Sequence, residues 1–220
     1  MSSHHIVRDD QEPALIIANG EACSLELLHN LLEWQPLVIV LDSAIERVLE
    51  LGIKVDVLIG DFDRNFDYMK YKHSQYPIDI IKVDDQNSTD LDKALVYLKE
   101  RNIYHANIIW ATGKRMDHTI TNITSLAKYR HDMKLVILDD YSKIFALPNK
   151  FIKWYPALQP ISLIPIGTVE GINSSNLKYE LLNDTLQLGY RTGSSNEVLQ
   201  DGLVEINYVK GDLILMESND

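Results

Sequence analysis

The sequence predicts an α/β fold, with a mainly parallel-sheet N-terminal domain bearing helices on both faces and then a small all-β sandwich or barrel. Three observations carry this. Short runs rich in Ile, Val and Leu recur through the first two-thirds of the chain. Segments with apolar residues three and four apart lie between them. After Leu147 the helical spacing stops, and prolines and turn residues become frequent. The expected division is residues 1–147 and 148–220.

The apolar runs are Ala14–Ala18, Leu37–Leu41, Val55–Ile59, Ile78–Val83, Ala106–Ala111 and Lys134–Leu138, each flanked by Asp, Asn or Gly. Such near-continuous runs suit strands covered on both faces. Leu25, Leu28, Leu31 and Leu32 fall on one helical face. So do Leu91, Ala94, Leu95 and Leu98, preceded by Thr89 as an N-terminal cap with Asp92 three residues on. In the tail, Pro148, Pro156, Pro160 and Pro165 discourage long helices. Asn183-Asp184 predicts a hairpin between Tyr179–Leu182 and Thr185–Leu188. Lys210-Gly211 similarly separates Val204–Val209 from Leu213–Met216.

The chain has 220 residues and a formal charge of −11, from 21 Lys and Arg against 32 Asp and Glu. Phosphate-backbone binding needs clustered cations, so this balance argues against a nucleic-acid partner. Cys23, the single cysteine, excludes an internal disulfide and a cysteine-rich zinc site. No apolar run approaches the ~20 residues of a membrane span, and Met1–Pro13 lacks the apolar stretch of a signal peptide. A cytoplasmic protein is expected.

The ends of successive predicted strands are acidic. Asp42 follows the second, Gly60-Asp61-Phe62-Asp63 the third, Asp84–Asp90 the fourth, and Thr112–His118, with Asp117, the fifth. In open α/β sheets ligands collect at strand carboxyl ends. Any one of these Asp residues is also what a turn or helix cap requires; the set at consecutive strand ends points to chemistry. Asp61 and Asp63, two apart in an extended stretch, point the same way. All-oxygen ligands favour Mg²⁺ or Mn²⁺ over zinc. Lys114 and Arg115, before a predicted helix start, suit phosphate oxygens. His118 reads as a cap-adjacent or packed residue rather than a general base. The other histidines show no metal-ligand spacing, and neither a P-loop nor a GxGxxG is present.

Taken together, Gly60-Asp61-Phe62-Asp63, the run Asp85–Ala94, and Gly113–Thr119 with Asn122 resemble the thiamine pyrophosphokinase family. Leu177-Lys178-Tyr179 and Gly193–Glu197 resemble its C-terminal signatures, and the resemblance extends from Ala18-Asn19-Gly20 to the last strands. It implies transfer of the terminal pyrophosphoryl group of ATP to thiamine, with AMP released, by a homodimer whose sites are shared between subunits. By that resemblance Asp61, Asp63 and Asp90 hold Mg²⁺ (Mn²⁺ being the alternative), with Asp42 nearby. Gln86, Thr89, Arg115 and Asp117 line the substrate and phosphate site, joined by Asn19, Lys93, Lys114 and His118. Ser195 and Asn196 meet ligand from the β domain. Asp61, Asp63, Asp90, Arg115 and Asp117 form the implied catalytic set, with either Asp117 or Asp42 orienting the thiamine alcohol.

The chain departs from the family pattern at several positions. Ser43-Ala44 stands where a Gly pair is usual, Lys114 and Asn176 stand for glycines, and Arg64 for a serine. No aromatic occurs in Leu213–Met216. Two competing readings are a Mg²⁺-dependent phosphatase or sugar-nucleotide transferase using the same carboxylates, and a thiamine or nucleotide sensor without turnover. A dehalogenase-type phosphatase would place its nucleophilic Asp after the first core strand, whereas Asp61 follows the third.

Overall fold

The computed structural model describes residues 13–62, 67–85 and 87–219, so Asp63, Arg64 and Gln86 lie outside the described residues. Packing groups the chain into two compact units that divide between Asn122 and Ile123.

The first unit alternates strand and helix: β1 (Ala14–Ile17), α1 (Leu25–Leu32), β2 (Val38–Leu41), α2 (Ile45–Glu50), β3 (Val57–Gly60), α3 (Tyr68–Ser74), β4 (Asp79–Lys82), α4 (Asp90–Glu100), β5 (His105–Ile109) and the start of α5 (Met116–Tyr129). Its strands lie in the order β4-β3-β2-β1-β5. Every pairing among them is parallel, for example Ile16 with Ile39 and with Ile108. All four residues of β1, β2 and β3 are buried, as their apolar runs predict. Strand β4 departs from that expectation: none of its residues is fully buried. It ends the sheet order with β3 as its one partner there, and its outer Asp79 and Lys82 sit comfortably in solvent.

Helix α4 follows its pattern closely. Leu91, Ala94, Leu95 and Leu98 are buried. Thr89 Oγ1 accepts from the Asp92 backbone N–H at 3.1 Å, while Asp92 Oδ2 accepts from the Thr89 N–H at 3.4 Å, a reciprocal capping box. Helix α1 buries less than its leucines suggest: Leu28 is buried, but Leu25 is exposed.

The second unit is an antiparallel assembly of β6 (Lys134–Leu138), β7 (Ser142–Ala146), β8 (Lys150–Tyr155), β9 (Pro160–Ser175), β10 (Asp184–Gln187), β11 (Gly193–Glu197), β12 (Gly202–Asn207) and β13 (Lys210–Ser218). The 16-residue β9 organises it, pairing along its length with β11, β13, β10 and β12. Register shifts in the β10 and β13 pairings let one strand serve several neighbours. Leu163, Val169, Ile172, Leu186, Val204, Leu213 and Leu215 form the core. At one edge Glu217 accepts from Tyr155 Oη (2.5 Å) and Lys153 Nζ (2.6 Å).

Both predicted hairpins are corrected. Tyr179–Leu182 is not a strand; β10 pairs with β9 instead. Likewise β12 and β13 do not pair with each other but flank β9. A local turn signal marks where the chain reverses, whereas the strand partner is chosen by the buried face, and β9 supplies more of it than either neighbour. Among the described residues no helix is long and apolar enough to cross a membrane.

Thr89→Ala removes the cap that anchors α4. A loss of about 1 kcal/mol is expected, read as a lowered urea midpoint at unchanged slope.

Candidate active site

In the order β4-β3-β2-β1-β5, strand β1 has β2 on one side and β5 on the other. The loops leaving β1 and β5 therefore run in opposite senses, which opens a crevice at the carboxyl ends of the strands. A pocket of about 530 Å³ sits there, a volume that suits a nucleotide-sized ligand. The segment after β1 contributes Ala18, Asn19 and Gly20, the end of β2 contributes Leu41 with Ser43 just beyond it, and the residue after β3 is Asp61. The turn into α4 contributes Asp85, Ser88, Thr89, Asp90 and Lys93. The turn after β5 and the start of α5 contribute Gly113, Lys114, Arg115, Asp117, His118 and Asn122.

The acidic wall depends on a close backbone approach. A Cβ on Gly60 would meet Asp42 Oδ2 at 2.3 Å, so only glycine lets the end of β3 pass that carboxylate. Asp42 Oδ2 also accepts from the Phe62 N–H at 3.2 Å. Burial raises the Asp42 pKa, and the negative charges of Asp90 and Asp61 push it further in the same direction. That repulsion is the electrostatic signature of carboxylates from three strand ends in one neighbourhood. Asp90, at the N-terminus of α4, forms an ion pair with Lys93 at 2.9 Å. Asp85 is held below its usual range by the Asn87 backbone N–H and the Ser88 hydroxyl. Among the described residues no three metal-ligating side chains converge. Asp61 and Asp90 supply two hard oxygen donors to one pocket, a donor type that fits Mg²⁺ or Mn²⁺.

The opposite wall is cationic. Gly113 has φ +73°, and a Cβ there would meet Glu21 Cβ at 2.6 Å. Lys114 follows with φ +49°. The turn thus keeps the left-handed backbone of a glycine while carrying a lysine, at a cost of about 1 kcal/mol. Arg115 Nε donates to Asp117 Oδ1 at 3.1 Å, and Nη2 donates to the other carboxylate oxygen. This two-pronged bond holds the Asp117 carboxyl down at about 2 and raises the guanidinium.

Of the residues singled out in the sequence, Asn19, Asp61, Thr89, Asp90, Lys93, Lys114, Arg115, Asp117 and His118 line this pocket. Asp42 sits beside it without lining it. Asp63 and Gln86 lie outside the described residues. His118 is exposed in the first turn of α5, the cap-adjacent rather than the packed of its two expected placements. Ser195 and Asn196 belong to the second unit. Ser195 is exposed with φ +57°. Asn196 is 4% exposed, and its amide accepts from the Tyr179 and Glu197 N–H groups and donates to the Tyr179 carbonyl. It is a bracket within that unit rather than an outward contact.

Arg47 was not foreseen. Its Nη1 donates to Asn19 Oδ1 (3.1 Å) and to the Gly20 carbonyl (2.9 Å), and its guanidinium lies 4.4 Å from the Trp110 ring centroid. It ties the ends of β1 and β5 together at the pocket rim. Nothing in its spacing within α2 distinguishes it from a solvent-facing arginine.

The catalytic-domain profile of thiamin pyrophosphokinase matches residues 28–137, and the vitamin B1 binding domain profile of the same family matches residues 152–213. Thiamin pyrophosphokinase 1 of Caenorhabditis elegans is 27% identical over 209 residues, covering 88% of this chain and 84% of its own. Thiamine pyrophosphokinase 2 of Arabidopsis thaliana is 32% identical over 170 residues, or 70% of this chain and 62% of its own. The crystal structure of thiamine pyrophosphokinase from Bacillus subtilis superposes with a TM-score of 0.79 at 25% identity, covering 94% of this chain and 99% of that one.

Arg115→Gln should return the Asp117 carboxyl from about 2 toward the ordinary 3.8, as read by side-chain carbon NMR. Because the folded value is depressed, the pairing is present in full above the ordinary value. It is lost as pH falls through about 2, a window the variant should lack.

Proposed function

The chain belongs to the thiamin pyrophosphokinase family, and on that premise we propose that it transfers the terminal pyrophosphoryl group of ATP to the hydroxyl of thiamine, giving thiamine diphosphate and AMP. The observation that carries this reading is a single pocket at the β1/β5 switch point with carboxylates on one wall and Lys114 and Arg115 on the other. An acidic wall alone would repel a triphosphate, and a basic wall alone would not retain a divalent cation with it. Residues 1–147 form the catalytic portion, with helices covering both faces of the parallel sheet, and residues 148–220 recognise thiamine. The two profile matches, at 28–137 and 152–213, fall one on each side of that division.

Asp61 and Asp90, with Asp63, would hold Mg²⁺ or Mn²⁺, which when bound supplies charge neutralisation on the polyphosphate and polarisation of its β-phosphorus. Phosphoryl-type transfer then needs positioning and charge stabilisation more than a strong base. Lys114 and Arg115 donate to phosphate oxygens, and Asp117 keeps the Arg115 guanidinium pre-oriented, so little ordering remains when the charge develops. The thiamine oxygen bonds to the β-phosphorus as the bridging oxygen departs with AMP. Of the two carboxylates that could orient the thiamine alcohol, Asp117 lines the pocket but is committed to Arg115, which leaves Asp42, beside the pocket, as the acceptor. Its raised affinity for a proton suits it to take the one the alcohol loses. From the second unit, Ser195 rather than Asn196 is the outward ligand contact. Thr89 acts through its cap on α4, and Asn19 through its tether to Arg47.

The same reading includes a cytoplasmic homodimer. In its support, Trp154 and Leu203, directly opposite across the β8–β12 pair, are both more than half exposed, as is Ile152 two residues along β8. Such an apolar strip on a sheet face suits a second copy of the chain.

Incubation with ATP, thiamine and Mg²⁺ should give AMP and thiamine diphosphate by chromatography; inorganic phosphate, or nucleotide turnover independent of thiamine, would overturn the assignment. Asp61→Asn should lower kcat by roughly a hundredfold or more at saturating Mg²⁺. For the assembly, light scattering should give twice 25.2 kDa, and Trp154→Glu should shift the mass toward the monomer.

A further inference from the structure

Lys93 occupies a position that neither helix formation nor solvation favours. It lies in the first turn of α4, near the positive end of the helix dipole, where a cation is disfavoured. Its side chain is only 4% exposed, whereas the Asp90 side chain it pairs with is 33% exposed. A buried ammonium is tolerated only with an anionic partner. The Lys93 ammonium meets Asp90 Oδ1 at 2.9 Å, on the wall of the pocket that also carries Asp61. An ordinary packing position in α4 would hold an apolar side chain, as Leu91, Ala94 and Leu95 do.

We propose that Lys93 is a built-in counter-cation that a divalent ion must displace from Asp90, so that the pocket takes up metal efficiently only together with a polyphosphate. This rests on the function proposed above and concerns the order in which its ligands are accepted. Metal arriving alone takes Asp90 from its partner and leaves a buried ammonium without its ion-pair partner, with only the exposed Asp85 acting on its charge, which is costly. Metal arriving with a nucleotide brings phosphate oxygens, to which the freed ammonium can donate with any of its three N–H groups. Metal and polyphosphate are thereby coupled, each strengthening the other's binding. In this scheme Lys93 acts on the metal through Asp90 and on the nucleotide through its own N–H groups.

The test is binding of Mn²⁺ alone, without nucleotide, followed by calorimetry and by electron paramagnetic resonance of free Mn²⁺. Lys93→Met, which keeps the apolar stem, should bind Mn²⁺ about tenfold tighter than the wild type. Lys93→Arg, which keeps the charge, should bind it as weakly as the wild type. Damage to the fold would weaken metal binding, so the direction of the change separates exchange from disruption. If Lys93→Met fails to fold, Lys93→Gln reads the same quantity. Unchanged or weaker Mn²⁺ binding in a folded, neutral variant would overturn the proposal. If the wild type makes thiamine diphosphate while the neutral variant gains nothing, cation exchange fails and the reaction stands. If the wild type makes none while the variant still gains affinity, the reaction fails and the exchange is supported.

Discussion

Like charges held close together govern the first unit. Asp42, Asp61 and Asp90 come from three different strand ends, and their mutual repulsion is felt at Asp42, whose proton affinity both neighbours raise. Such an arrangement persists only on a stiff support. Strands β1, β2 and β3, buried at every residue and paired in parallel, provide it. The glycine at the end of β3 brings the Asp42 carboxylate against the backbone, and the N–H of Phe62 offsets part of its charge. The positive end of α4 and the Lys93 ammonium offset the charge of Asp90. The pocket is therefore a balance of charges assembled before any ligand arrives.

The cations around it divide into two kinds by burial. Lys114 and Arg115 stand exposed on a turn that lines the pocket. Arg115 is already oriented by Asp117 through a planar, two-pronged contact that a lysine could not make. Lys93 is the reverse, a point charge withdrawn from water and ion-paired with Asp90. Arg47 belongs to neither kind; it spends its donors on Asn19 and Gly20 and its face on Trp110, keeping the rim closed. In the second unit Asn196 plays a comparable bracing role, and the exposed Ser195 beside it carries the strained backbone.

The departures at Lys114 and Asn176 show how a chain keeps a backbone shape while changing its chemistry. Both residues take positive φ, +49° and +62°. Asn176 offsets that conformation locally, its side chain bonding the backbone of Gln200 in both directions. Lys114 places a charge on a pocket-lining turn at the cost of a small backbone strain.

Short-range patterns were legible in the sequence. The period of the apolar residues located β1, β2, β3, β5 and α4, and the spacing of Thr89 and Asp92 located the cap, because these depend on neighbours a few residues away. The acidic strand ends were legible as a set for the same reason, since a strand followed by Asp needs no knowledge of its partner. Strand pairing in the tail was not: β9 takes the partners that the hairpin signals had assigned to each other, because pairing follows the buried face and not the turn. The solvent exposure of His118, the bracing by Arg47 and the withdrawal of Lys93 from water were equally invisible, since each depends on atoms brought close from distant or opposite sides. What the sequence by itself determined was the alternation of elements and the kinds of charge at their ends. Only the tertiary structure decided which of those charges face one another and which are taken out of water, because Coulomb and desolvation energies depend on distances and burial that no local spacing encodes.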